Sequence, residues 1–128
     1  MDWHDAALAM AGVIGSGVAV VHGVLTQRLL VRPFREAAAA RIAPRRRQLA
    51  AMLLQFSTFN WFVGGLALVA AACASAWEAR LATGLLVGSS YLFGAVGNLW
   101  ATRGRHPGWV LYGAALLLIA YGLGKPEG

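Results

Sequence analysis

Residues 49–75 read LAAMLLQFSTFNWFVGGLALVAAACAS, a stretch without a single Asp, Glu, Lys or Arg. Crossing the ~30 Å hydrocarbon core of a bilayer takes about 20 mostly apolar helical residues, so this segment is long enough to span. Three more such runs surround it, at 5–27, 81–101 and 109–124, the first bearing a charge only at its Asp5 edge. The four consume most of the 128 residues. The expected fold class is therefore an all-α integral membrane protein. It is a four-transmembrane-helix antiparallel bundle in one domain, 1–128, with a short cytoplasmic helix between helices 1 and 2.

Composition points the same way. The chain is 59% hydrophobic and 12% charged, with a mean hydropathy of +0.61, which excludes a soluble globular domain and a disordered chain. A β-barrel is excluded too, because it needs at least about eight alternating strands, whereas these runs are continuously apolar and rich in Ala, Leu and Gly. The opening MDWHD is acidic where a cleavable signal would be basic, so the first run is expected to be retained.

The net charge of +6 becomes a direction once each charge is placed. Arg28, Arg32, Arg35, Arg41, Arg45, Arg46 and Arg47 fall in the first connector and Arg103 and Arg105 in the third, nine of the 11 basic residues. Four crossings put both connectors on one side. Asp2, Asp5, Glu78 and Glu127 share the other side with only Arg80 and Lys125. The positive-inside rule then places the Arg-rich loop in the cytoplasm and both termini outside. Trp3 and Trp77 at one interface and Trp100 and Trp109 at the other form an aromatic belt in register with this topology. Ten Arg against one Lys, with abundant Ala and Gly, fit a GC-rich bacterial genome and hence a bacterial inner membrane. Arg41, Arg45, Arg46 and Arg47 are expected to contact anionic lipid headgroups, and the basic charge is not read as a nucleic-acid surface. In PFREAAAARIAP, Pro33 suits a helix start and Pro44 a stop, and Glu36 can pair with Arg32.

At 100° per residue Ala11, Gly12, Gly15, Ala19, His22 and Thr26 share one face of the first span, with Met10, Val13, Val20 and Val24 opposite. Gly84, Val87, Gly88, Tyr91, Gly94, Ala95 and Asn98 share a face of the third. Small residues permit close helix contact, so these faces are expected to pack inward, with Gly84 and Gly88 serving intramolecular packing. The second span has polar residues on two sides, Gln55 and Thr58 against Ser57 and Asn60. Either this helix is central to the bundle, or one of its faces completes a contact with a second protomer. The fourth span shows little periodicity and is expected to be the most lipid-exposed.

Counting ~1.5 Å per residue from the cytoplasmic charges puts His22, Gln55, Asn98 and Tyr112, one from each helix, in a layer roughly 8–12 Å deep. Asn60 lies deeper. Intramembrane polar groups are costly unless paired, so His22, Gln55, Asn60, Tyr91, Asn98 and Tyr112 form either an interhelical hydrogen-bond layer or a site. Trp61 and Phe62 are expected to be packing residues. No catalytic constellation, phosphate loop or metal motif is readable. Cys73 falls near the outer surface, His22 near the inner one and His106 in a turn, so one protomer is not expected to bring them together. The sequence names no cofactor. The favoured expectation is a non-enzymatic accessory or interaction subunit, a homo-oligomer or part of a membrane complex. The alternative is a small-solute binder or transporter with a cytoplasm-facing vestibule gated by His22. A haem or quinone protein built on paired His22 residues is a third.

Overall fold

A computed structural model describes residues 2–74 and 76–124, and all regular structure among them is helical. Ser75, Lys125 and Glu127, named above, lie outside the described residues. Helix α1 runs Trp3–Thr26, α2 Arg32–Ala37, α3 Pro44–Ala74, α4 Trp77–Thr102 and α5 Gly108–Gly122. With the segment that continues it, α1 is long and apolar enough to cross a membrane, as are α3 and α4. The fourth expected span is the shorter helix α5, whose 15 residues extend only about 22 Å.

Asp2 caps α1 in a reciprocal box: Asp5 N–H donates to Asp2 Oδ1 at 2.8 Å and Asp2 N–H to Asp5 Oδ2 at 3.0 Å. The connector after α1 departs from expectation. Instead of a separate helix starting at Pro33, the chain continues through a π-helical turn, Gln27–Val31, directly into α2. Pro33 explains the turn. It lacks an N–H and its ring crowds the carbonyl four residues back, so the helix widens and Arg32 N–H reaches Gln27 O instead. The helix then stops at Ala37 although alanines follow, because the chain must reverse before Pro44, which disfavours helical backbone at Ala43. Pro44 opens α3 rather than closing a helix, in the position where its missing N–H costs nothing. Arg45, Arg46 and Arg47 therefore lie in the first turn of α3. There they oppose the helix dipole. Arg32 and Glu36 form the expected pair at 3.8 Å, fully at the surface.

Helix α1 lies against α3 and α5, and α4 lies against α5 and, less closely, α3. The α1–α3 crossing is the tightest. Gly12 and Gly65 face each other's carbonyl oxygens, and Ser16 Oγ donates to Phe62 O at 3.1 Å. The small-residue face of α1 is buried through Ala11, Gly12, Gly15 and Ala19, and that of α4 through Gly84, Val87, Gly88, Tyr91 and Gly94. Gly84 and Gly88 meet Leu123 and Ile119, contacts within the chain. Helix α5 differs from expectation. It touches two neighbours and buries a regular stripe, Gly108, Tyr112, Ala115, Ile119 and Gly122, while Leu117 stays exposed.

Candidate functional site

Two glycines seat the largest rings of the core. A side chain at Gly15 would fall on the Tyr91 hydroxyl, and a Cβ at Gly94 would lie 2.8 Å from Trp61 Cζ2. With that room, four rings from four helices form a row. His22 meets Trp61 edge-on at 4.8 Å between centroids, Trp61 meets Tyr112 at 4.9 Å, and Tyr112 meets Tyr91 at 5.1 Å. Each such contact adds about 0.5–1.5 kcal/mol beyond burial. Tyr91 OH donates to Trp61 O at 3.3 Å, while the Tyr112 hydroxyl is buried without a partner.

That asymmetry makes a paired prediction. Tyr91→Phe loses a hydrogen bond and is expected to cost about 1 kcal/mol, whereas Tyr112→Phe removes an unsatisfied hydroxyl and is expected to leave stability unchanged or raise it by about 1 kcal/mol. Thermal unfolding of the two variants in detergent checks the order.

The polar residues expected in one layer do not form one network. His22 Nε2 lies 3.2 Å from Thr26 Oγ1 and 3.4 Å from Ser57 Oγ. Gln55 Nε2 donates to Gly23 O at 3.2 Å and to Gln27 Oε1 at 3.3 Å, tying α3 to the end of α1. Asn98 Nδ2 bonds within its own helix, to Gly94 O. Asn60 stands apart from His22, exposed on the far side of α3, where its Nδ2 donates to Ser90 Oγ at 2.8 Å. It lines a groove of about 440 Å³ between α3 and α4 that also takes in Gly64, Ala67, Thr83 and Ser89.

His22, Asn98 and Tyr112 do share a cavity, of about 360 Å³, between α1, α5 and the turn joining α4 to α5. Sequence reasoning separated His22 from His106, yet His106 lines the same cavity. The turn accounts for this. Arg103 and Gly104 adopt left-handed backbone (φ 50° and 76°), which folds the chain back so that Trp109 Nε1 donates to Gly104 O at 3.2 Å. Thr102 Oγ1 accepts from His106 N–H at 3.4 Å, and His106 Nδ1 accepts from Gly108 N–H at 3.1 Å. That bond leaves the ring proton of the neutral imidazole on Nε2. Cys73 is exposed on α3 far along the chain from this cavity, and no group of three His, Cys, Asp or Glu suited to a metal occurs among the described residues.

Arg41, Arg45 and Arg46 are exposed, and Arg47 turns back to donate to Arg35 O at 3.4 Å. The opposite end of the molecule holds a feature that sequence reasoning missed. Arg80 forms an ion pair with Asp5 and donates to Gly122 O at 3.3 Å, joining α4, α1 and α5. Beside it the His4 ring stacks on Tyr121 at 4.8 Å, and Nδ1 lies 2.8 Å from Tyr121 O. The lone Arg among the acidic residues of that end was the available signal. The chain matches no protein-family model, no curated protein and no solved structure, so the reading rests on its own chemistry.

Proposed function

We propose that the chain is a small polytopic protein of the bacterial inner membrane, four antiparallel crossings with both termini outside, acting as a non-enzymatic interaction subunit that pairs with a second copy of itself. The exposed apolar surface supports the bilayer: Phe93 is 80% exposed, Leu86 74% and Leu117 74%, a density that water does not tolerate. The short α5 is accommodated by local thinning and by Trp109 in its first turn.

The Asn60–Ser90 pair carries the interaction reading. It is polar, outward-facing and in mid-helix, and in lipid its remaining valences go unmet. Asn60 already donates to Ser90, which leaves Asn60 Oδ1 to accept and the Ser90 hydroxyl to donate. A two-fold arrangement brings that donor to the same acceptor of a second copy, and Gly64 and Ala67 allow the backbones to approach. The transporter reading has less support, because Asp5–Arg80 and His4–Tyr121 close the end opposite the arginines.

Native mass spectrometry from mild detergent tests the pairing. The expected mass is a dimer, and Asn60→Leu is expected to weaken it about tenfold, given interhelical polar bonds of about 0.6–2 kcal/mol each. A monomer at all concentrations overturns the reading. For topology, a membrane-impermeant maleimide applied to intact cells is expected to label Ala79→Cys and not Ala40→Cys, in a Cys73→Ala background. The reverse pattern refutes the orientation.

A further inference from the structure

The cavity shared by His22 and His106 lies across the bundle from the α3–α4 groove, and nothing in the pairing reading uses it. Its volume of about 360 Å³ falls in the range of small-molecule sites. Its walls are mostly apolar, with Val18, Val21 and Leu25 on α1 and Leu111 on α5. Val21 and Leu111 are exposed at 59% and 44%, so the cavity opens sideways, toward what would be lipid. Gly17 keeps the mouth wide, since a Cβ added there meets nothing within 4 Å.

The polar groups gather at one end. His106 offers its Nε2 proton and His22 a second imidazole, while Tyr112, with its buried hydroxyl, and Asn98, whose Nδ2 is already bonded to Gly94 O, are the other polar residues of the wall. Arg103 and Arg105 belong to the same turn as His106. The described acidic residues are distant or occupied: Asp2, Asp5 and Glu78 belong to the opposite end and Glu36 is paired with Arg32. The local charge is therefore positive and the cavity walls are mostly apolar, with imidazoles among the lining residues, which suits a negatively charged head on a hydrocarbon tail.

We propose that this cavity binds a single-chain carboxylate amphiphile, a free fatty acid, which enters sideways between α1 and α5 with its carboxylate toward His106 and His22 and its tail along Val18, Val21 and Leu111. Titration of the full chain in detergent with palmitate, followed by native mass spectrometry, tests it, with hexadecanol as the neutral-headed control. The expected result is a saturable adduct of one palmitate per chain, at least tenfold weaker for hexadecanol. Gly17→Phe fills the mouth and is expected to abolish the adduct while circular dichroism shows unchanged helicity. Leu111→Trp narrows the opposite rim and is expected to weaken the adduct in the same way, which keeps the test sound should Gly17→Phe misfold. Absence of a saturable palmitate adduct, or an adduct that survives both substitutions, overturns the site. Equal binding of hexadecanol overturns the carboxylate assignment, and an adduct of phospholipid alone that palmitate does not displace overturns the free fatty acid as occupant.

Discussion

Arg80→Met is expected to destabilise the protein by about 2–3 kcal/mol, below the full cost of removing one partner from a buried ion pair because this pair is part-buried. The side chains of Arg80 and Asp5 are only 14% and 19% exposed, so each charge is partly shielded from water once its partner is gone. Arg80 also holds Gly122 O on α5, so its loss unties three helices at one end. The double variant Asp5→Asn/Arg80→Met is expected to recover most of the loss, because both charges are removed together while Asn keeps an oxygen to accept from Asp2 N–H. Chemical denaturation in detergent measures both. A single-variant cost below about 1 kcal/mol would show that the pair behaves like an exposed surface bridge.

Gly65→Leu is expected to cost about 3 kcal/mol or more and to separate α1 from α3. Overpacking usually costs 1–3 kcal/mol, and here the obstacle is backbone rather than a side chain that can swing away. The Cβ would run into Ser16 and the Gly12 carbonyl. Gly17→Ala and Gly97→Ala are the matched controls. Both positions face open space, so alanine is expected to be neutral or to stabilise the helix by up to about 1 kcal/mol. Loss of helical circular dichroism on heating separates the cases, and equal melting of all three variants would contradict the close crossing.

The faces of α1 and α4 were legible because small and large residues alternate there at helical spacing: Gly15 and Ala19 against Val13 and Val20. Helix α5 offered no such contrast. Leu, Ile and Ala surround it evenly, so only contact with α1 and α4 reveals that Ile119 is buried and Leu117 is not. Depth along each helix could be counted from the arginines, but rotation about the axis could not be fixed for α3, which is polar on two sides. Asn60 was accordingly grouped with His22, although the two lie on different sides of α3. His106 was set apart from His22 because a turn residue carries no periodicity. Its position depends on the left-handed backbone at Arg103 and Gly104, and a non-glycine at the first of these gives no warning in sequence. The aromatic row was half visible. Trp61 stood out as the one tryptophan deep in a span, but its contact with Tyr112 needed the tertiary fold.

The polar ends divide the labour of the bundle. Asp5, Arg80, His4 and Tyr121 fasten one end, while His22, Asn98 and His106 leave a cavity at the other. Between them lies the outward-facing Asn60–Ser90 pair.

Disulfide cross-linking in native membranes tests the central claim, pairing through the α3–α4 face, most directly. In a Cys73→Ala background, Ala67→Cys places one thiol in the groove beside Gly64. Oxidation is expected to convert most of the chain to a covalent dimer, while Leu117→Cys, on the exposed face of α5, stays monomeric. A monomer from Ala67→Cys together with a dimer from Leu117→Cys would contradict the account.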